Sequence, residues 1–222
     1  YHMHEIINSQ RISISKEELT KHTFITGSTG SGKSNTIYKL LDSLNKEDVN
    51  FLVVEPAKGE YKTVFGNKNG VSVYGTNPNL TDMKMLHINP FRFPKSIHIL
   101  EHLDRLIEIF NVCWPMYAAM PAILKDAVER AYIASGWDLM KSKNKYDDNI
   151  FPTFSDVLKQ IKVVLDESEY SSDNKGDYTG SLVTRVKSLT NGINGLIFTT
   201  DDISDEQLFD RNVIVDLSRV GS

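Results

Sequence analysis

The sequence predicts an α/β fold in which helices flank a mostly parallel β-sheet and a helical insertion subdomain interrupts the order of the strands. Two apolar runs, Asn50–Glu55 and Asn212–Asp216, have the continuous apolar character of strands that are covered on both faces. A helical pattern precedes the first of these runs, and such alternation favours parallel pairing. A block of about 100 residues with helical periodicity separates the early strands from the late ones, as a subdomain packed on the sheet would.

The composition is that of an ordinary globular protein. The 222 residues are 40% hydrophobic and 24% charged, which suits one α/β domain with a sizeable core. No apolar run approaches the length of a membrane span, nothing resembles a signal peptide, and the lone Cys113 excludes an internal disulfide, so we expect a cytoplasmic protein. The net charge of −4 argues against a surface coated in basic residues, although a narrow basic pore could still hold nucleic acid.

The first part of the chain is predicted to hold short strands around one helix. Polar and apolar residues alternate at Arg11–Ser15, as in an edge strand, and His22–Thr26 has the character of a short buried strand. A helix is expected at Asn35–Leu44, and further strands at Val71–Tyr74 and Met85–Ile88.

The helical block is predicted to hold four helices, because its apolar residues recur at helical spacing. Pro121 suits a first turn, and Thr153 with Asp156 forms a candidate capping box. The helices are expected at Leu100–Phe110, Pro121–Gly136, Thr153–Leu165 and Leu182–Asn191, a polar loop at Lys141–Asn149, a mobile surface loop at Asp166–Asp177, and a late strand at Gly195–Phe198.

The segment Gly27–Ser34 has the pattern G-x-x-x-x-G-K-S of a phosphate-binding loop, the P-loop. Such a loop presents backbone N–H groups to phosphate oxygens, and the following helix adds its positive end. Lys33 is expected to contact the β- and γ-phosphates, and the Ser34 hydroxyl to bind Mg²⁺. The chain is therefore predicted to bind ATP and Mg²⁺. The residues expected to bind the nucleotide are Gly27, Ser28, Thr29, Gly30, Ser31, Gly32, Lys33, Ser34 and Asn35.

These elements divide the chain into four parts. Residues 1–18 are an N-terminal segment or the remnant of a preceding domain, 19–95 the first part of a P-loop core, 96–192 the helical insertion subdomain, and 193–222 the returning core strands. No helix follows the last predicted strand to cover the sheet. We therefore expect the chain to be truncated at its C-terminus.

Hydrolysis needs carboxylates to hold Mg²⁺ and to orient the attacking water. Glu55 and Asp216 each end a predicted strand, the place where ligands bind in open α/β sheets, and Glu60 lies in the loop after Glu55. Lys33, Glu60 and Glu55 are the candidate catalytic residues, and Asp216 is a further candidate for the metal. A solvated carboxylate that caps a strand end is the alternative interpretation of each acid.

Arginines can complete a neighbouring subunit's active site, and Arg185 and Arg219 are the candidates here. Arg185 lies on the fourth predicted helix, and Arg219 follows the last predicted strand. For both residues, a surface arginine in a salt bridge is the alternative.

Four segments together resemble the HerA-like ATPases of the HerA/FtsK group of P-loop motors. They are the P-loop region Thr23–Thr36, the acidic segment Val54–Tyr61, and the stretches His87–Pro94 and Val213–Gly221. The resemblance implies a RecA-like fold and a hexameric ring that translocates double-stranded DNA, with nucleotide bound between subunits. It also implies a partner, either a nuclease or another effector of defence against foreign DNA.

The same resemblance implies that part of the active site lies elsewhere. In the family, an apolar strand ending in paired acids follows the segment that matches Asp216–Arg219, and here it would lie beyond Ser222. Asp216 would then not be the principal Mg²⁺ residue, and the isolated fragment could be inactive. Two other functions stay open: an ATPase that powers conjugation or secretion, and a nucleotide-binding assembly module that is not a motor.

Overall fold

The computed structural model describes residues 14–79 and 83–218. The chain forms two compact units, which divide between Asp48 and Val49. Among the described residues, none of the helices has both the length and the apolar character that crossing a bilayer requires.

The first unit contains the phosphate-binding loop and helix α1, Lys33–Lys46. The predicted helix is confirmed and is longer than expected at both ends. The predicted strand at His22–Thr26 is wrong: this stretch forms no strand, and Phe24 is 88% exposed. The described part of this unit contains no strand, so this stretch has no neighbouring strand in the unit with which to form a hydrogen-bonded ladder. Of the predicted strand Arg11–Ser15, residues 11–13 lie outside the described residues, and the remainder is not a strand.

The second unit is built on a parallel four-stranded sheet, whose strands are Leu52–Glu55 (β1), Val71–Gly75 (β2), Lys84–Met85 (β3) and Asn212–Asp216 (β6). Their order in the sheet is β1-β6-β2-β3. The last strand along the chain is therefore inserted between the first two. The predicted α/β class with a mostly parallel sheet flanked by helices is confirmed. A separate antiparallel pair is formed by β4 at Trp137–Asp138 and β5 at Lys143–Asn144.

The central place of β6 explains its uninterrupted apolar sequence. Val213 and Ile214 are fully buried, because neighbouring strands flank β6 on both sides and side chains cover both faces. On β1, at the edge of the sheet, Val54 is 56% exposed. Tyr74, Leu86 and the β6 valines form a small core against one face.

Three of the four helices predicted for the helical block are confirmed, and the fourth, expected at Leu182–Asn191, is shorter and follows a π-helical turn. The capping box of Thr153 and Asp156 is present, and α4 packs along α5 around a core rich in aromatic residues. The helices are α2 at Tyr61–Phe65, α3 at Ile99–Cys113, α4 at Met120–Ala134, α5 at Phe154–Glu167, α6 at Ser172–Tyr178, α7 at Thr184–Ser188, α8 at Gly192–Ile197 and α9 at Asp205–Phe209, with a π-helical turn at Thr179–Val183 between α6 and α7.

Two predictions in this region are wrong. The stretch Gly195–Phe198 is mostly the helix α8, where Gly195 lies so close to the Thr190 carbonyl that a Cβ would be 2.6 Å from its oxygen. A single parallel bridge, between Ile88 and Phe198, takes the place of the expected strand pairing. The second half of the predicted loop at 166–177 is helical, because the Ser171 side chain caps α6.

Candidate functional site

Glycines shape the phosphate-binding loop of the first unit. Gly30 and Gly32 have φ values of 80° and 90°, in the left-handed region that glycine adopts at little cost. Apart from the adjoining residues, no atom lies within 4 Å of the place where a Cβ of either residue would stand. At Gly27 a Cβ would lie only 2.3 Å from Ser31 Oγ, so this glycine lets the loop fold tightly on itself.

Lys33 and Ser34 begin helix α1 directly after the loop. The Lys33 ammonium donates to the carbonyl oxygens of Gly27 and Ser28, both at 2.7 Å. The Ser34 hydroxyl forms no hydrogen bond with any other described residue. The first intrahelical bond runs from Thr36 N to Gly32 O at 2.9 Å, so the amides before Thr36 lie at the positive end of the helix.

This local arrangement fits a polyphosphate and a divalent cation. The loop is open above Gly30 and Gly32, the first amides of α1 have no intrahelical acceptor, and Lys33 lies beside the loop. The Ser34 hydroxyl is of the type that holds Mg²⁺ in such loops, and Asn35 is exposed in the first turn. The nucleotide-binding and Mg²⁺-binding assignments of Gly27–Asn35 remain predictions.

In the second unit, Glu55 and Asp216 lie side by side at the carboxyl edge of the sheet. Glu55 ends β1, Asp216 ends β6, and the two residues are direct partners in the parallel register. The backbone continues the pairing, because Leu217 N donates to Glu55 O at 2.8 Å. Both residues are buried. Each acid therefore ends a strand, as the sequence predicts, and the two strands are neighbours in the sheet.

The two oxygens of the Glu55 carboxylate are both engaged by backbone groups. Oε1 accepts a hydrogen bond from Glu60 N at 2.8 Å, and Oε2 accepts one from Tyr61 N at 3.1 Å. These two amides stand at the start of helix α2, where backbone donors lack intrahelical acceptors. These two hydrogen bonds thus hold the loop after β1 against the end of that strand.

Asp216 is held by a lysine and by the segment after β6. Its Oδ2 lies 2.6 Å from the Lys62 ammonium, and its Oδ1 accepts from Ser218 N at 3.0 Å. Burial, the largest single effect, would raise the pKa of Asp216. The hydrogen bonds from Lys62 and Ser218, together with the positive charge of Lys62, outweigh it, so that the pKa lies below its ordinary value.

Glu60 is exposed at the surface of the same region. Its carboxylate forms an ion pair with the Lys58 ammonium at 3.7 Å. The preceding Gly59 has a φ of 67°, and a Cβ there would lie 2.9 Å from Ser218 Oγ and 3.1 Å from Lys62 Nζ. Glu60 therefore follows a tightly packed turn. The pKa of the hydroxyl of the next residue, Tyr61, is raised, first by burial and then by the charges of Glu55 and Glu60.

The structure gives less information about the two candidate arginines. Arg185 lies on α7 and donates from Nη1 to the Pro115 carbonyl at 3.3 Å, while Arg219 lies outside the described residues. Within the described ranges, no cluster of three or more His, Cys, Asp or Glu side chains could hold a metal ion. Sequence reasoning missed Lys62, and the sequence carries no signal for it, because its partner Asp216 lies 154 positions away.

Comparison with known proteins shows a similarity to one family and to a solved structure. A model of the family described as "Helicase HerA, central domain" matches residues 5–222. Among solved structures, the fold is similar to that of VirB4 from Thermoanaerobacter pseudethanolicus, with a TM-score of 0.61 and 17% sequence identity. The match covers 88% of this chain and 49% of the VirB4 chain, so the chain spans about half the length of that structure.

A search of curated proteins finds no significant match. The family match extends over nearly the whole sequence and includes the phosphate-binding loop, the segment from Glu55 to Lys62, and β6. The chain therefore belongs to the family of the HerA helicase central domain, a family of P-loop ATPases.

Proposed function

We propose that the protein hydrolyses ATP and uses the energy to translocate double-stranded DNA as a hexameric ring. The observation that carries the proposal is the loop Gly27–Ser34, whose positive-φ glycines lead directly into helix α1. Membership in the HerA central-domain family supports the choice of a motor over other nucleotide-binding proteins. The ring and the DNA substrate rest on the family resemblance of the sequence, and the cytoplasmic location rests on its composition, in which Cys113 is the lone cysteine.

The residues that would hold the nucleotide lie in the loop and the first turn of α1. Backbone amides from Gly27 to Asn35 and the Lys33 ammonium would bind the phosphates, and the Ser34 hydroxyl would be a Mg²⁺ ligand. When bound, Mg²⁺ would neutralise the negative charge that develops on the phosphate oxygens. The two hydrogen bonds that Lys33 makes to loop carbonyls hold its ammonium beside the loop.

Glu60 is the carboxylate that we propose to orient the attacking water. It is exposed, whereas Glu55 and Asp216 are buried. A carboxylate that orients the attacking water must be accessible to that water, which favours Glu60 over Glu55.

Assembly would complete the site from a second subunit. Arg185 or Arg219 would approach the nucleotide of a neighbouring subunit and stabilise the charge that develops during phosphoryl transfer. We propose that a nuclease, or another effector that acts against foreign DNA, works with the ring.

The test is ATP turnover by the intact protein with and without double-stranded DNA, together with its mass by native mass spectrometry. We expect turnover to rise when DNA is added and the protein to have the mass of a hexamer in the presence of ATP. Turnover that does not respond to DNA would remove the translocase part of the proposal. It would favour a secretion ATPase or an assembly module.

A further inference from the structure

Three consecutive residues, Glu60, Tyr61 and Lys62, are anchored to two neighbouring strands. The backbone amides of Glu60 and Tyr61 donate to the Glu55 carboxylate at the end of β1. The Lys62 ammonium lies 2.6 Å from the carboxylate of Asp216 at the end of β6. Because Glu55 and Asp216 are register partners, the two anchor points lie next to each other on the rigid edge of the sheet.

The Lys62–Asp216 ion pair differs from an ordinary surface pair. The Asp216 side chain is 4% exposed and that of Lys62 is 25% exposed, so little water screens the contact. Lys62 also packs beside Gly59, where a Cβ would lie 3.1 Å from its Nζ. The pair therefore fixes the helix start and the turn before it, and both of these flank Glu60.

We propose that Lys62 is a positioning residue, whose ion pair with Asp216 holds the segment 56–62 so that the exposed Glu60 carboxylate keeps one place at the carboxyl edge of the sheet. The inference rests on the proposed function, in which Glu60 orients the attacking water. Glu55 and Asp216 then act through the loop and not on the reacting atoms. Misplacing a reacting group by about 1 Å can lower a rate about a hundredfold, so a rigid anchor at this point matters for turnover.

The experiment compares four variants of the intact protein with the parent. Lys62→Met removes the positive charge but keeps a side chain of similar length, and Lys62→Arg keeps the positive charge. The double variant Lys62→Met with Asp216→Asn leaves no buried carboxylate unpaired, so it guards against simple misfolding. Lys125→Met is the matched control, because Lys125 pairs with Asp104 at 2.8 Å between two helices, and its side chain is 45% exposed.

Two quantities are measured: kcat and KM for ATP, and hydrogen exchange of the amides of Glu60 and Tyr61 without nucleotide. We expect Lys62→Met to lower kcat at least about tenfold while KM changes by less than about twofold. The two amides should exchange faster in Lys62→Met, and Lys62→Arg should restore both readouts in large part. The double variant should lose no more kcat than Lys62→Met, because the two residues act as one pair. Lys125→Met should match the parent.

Several outcomes would overturn the inference. These are an unchanged kcat in Lys62→Met, unchanged exchange at Glu60 and Tyr61, a change in KM alone, and a further loss in the double variant. A parent protein that hydrolyses no ATP would instead contradict the proposed function. Exchange at the two amides would then decide by itself whether Lys62 holds the segment.

Discussion

Glu55 and Asp216 are register partners at the ends of two adjacent parallel strands, and each carboxylate binds a different part of the same short segment. Glu55 takes the backbone amides of Glu60 and Tyr61, and Asp216 takes the side chain of Lys62. Glu55, a catalytic candidate from the sequence, and Asp216, a candidate for the metal, thus serve as anchors in the structure. Glu60, the third acid of this region, is exposed.

Glu55→Gln should destabilise the protein although it changes only one atom. The amide side chain places an NH₂ group against one of the two backbone donors, so a hydrogen bond is lost at a buried site. We expect the free energy of unfolding to fall by about 1–3 kcal/mol. Urea denaturation measures it, with Glu169→Gln at an exposed position as the control. Equal stability of Glu55→Gln and the parent would contradict the anchoring role.

Ile214→Ala tests the central position of β6. Ile214 is fully buried between β1 and β2, so the truncation removes apolar contacts and leaves a cavity. We expect a loss of about 2–5 kcal/mol in the free energy of unfolding. Val54→Ala, on the exposed side of β1, should cost clearly less in the same urea titration. Similar losses for both variants would argue against the strand order.

Tyr132→Phe tests a buried hydrogen bond in the helical block. The Tyr132 hydroxyl, on α4, donates to the Phe91 carbonyl inside the aromatic core. Removing the hydroxyl leaves that carbonyl without this donor, which should cost about 1–3 kcal/mol. Thermal unfolding followed by circular dichroism reports the change, and Tyr117→Phe at a half-exposed position is the control. A Tyr132→Phe protein as stable as the parent would show that the bond contributes nothing.

His102 should make the stability of the protein depend on pH. Burial lowers the pKa of His102 below its ordinary value of 6.5, the hydrogen bond to the Pro90 carbonyl opposes this shift, and Arg105 adds to it. The unfolded chain therefore binds the proton more readily than the folded protein. The stabilisation is complete above the unfolded pKa and is lost as the pH falls through and below it.

The measurement compares His102→Gln with the parent by urea denaturation between about pH 7.5 and about pH 5.5. The parent should lose more free energy of unfolding over this range than the variant, because glutamine does not titrate. His22→Gln, at an exposed position, should retain the parental slope. A His102→Gln protein with the full parental slope would assign the pH dependence to other groups.

Local patterns predicted the local parts of the molecule. The glycine spacing of Gly27–Ser34 dictates a loop because the backbone there needs positive φ, and the apolar run of β6 dictates a buried strand. The place of β6 between β1 and β2 could not be predicted, because strand order depends on pairing between distant parts of the chain. For the same reason the role of Lys62 could not be predicted, because its partner Asp216 is remote in sequence.

The short apolar run Gly195–Phe198 shows a second limit. Four residues of this kind suit a strand or a helical turn equally well, and the decision depends on what surrounds them. Here the run forms most of the last turn of α8, in which Gly195 lies close to the Thr190 carbonyl. The missed helix α9 did carry a local signal, since Ser204 and Gln207 form a capping box at its start.

The central claim is that the loop before α1 is the ATPase site. The most direct test is ATP turnover by the intact protein, with double-stranded DNA present, for the parent, Lys33→Ala and Lys39→Ala. Lys39 is exposed on the same helix and lies outside the loop, so its variant controls for loss of a lysine from α1. We predict that Lys39→Ala matches the parent and that Lys33→Ala retains at most about one hundredth of the rate. Turnover by Lys33→Ala at the parental rate would contradict the account.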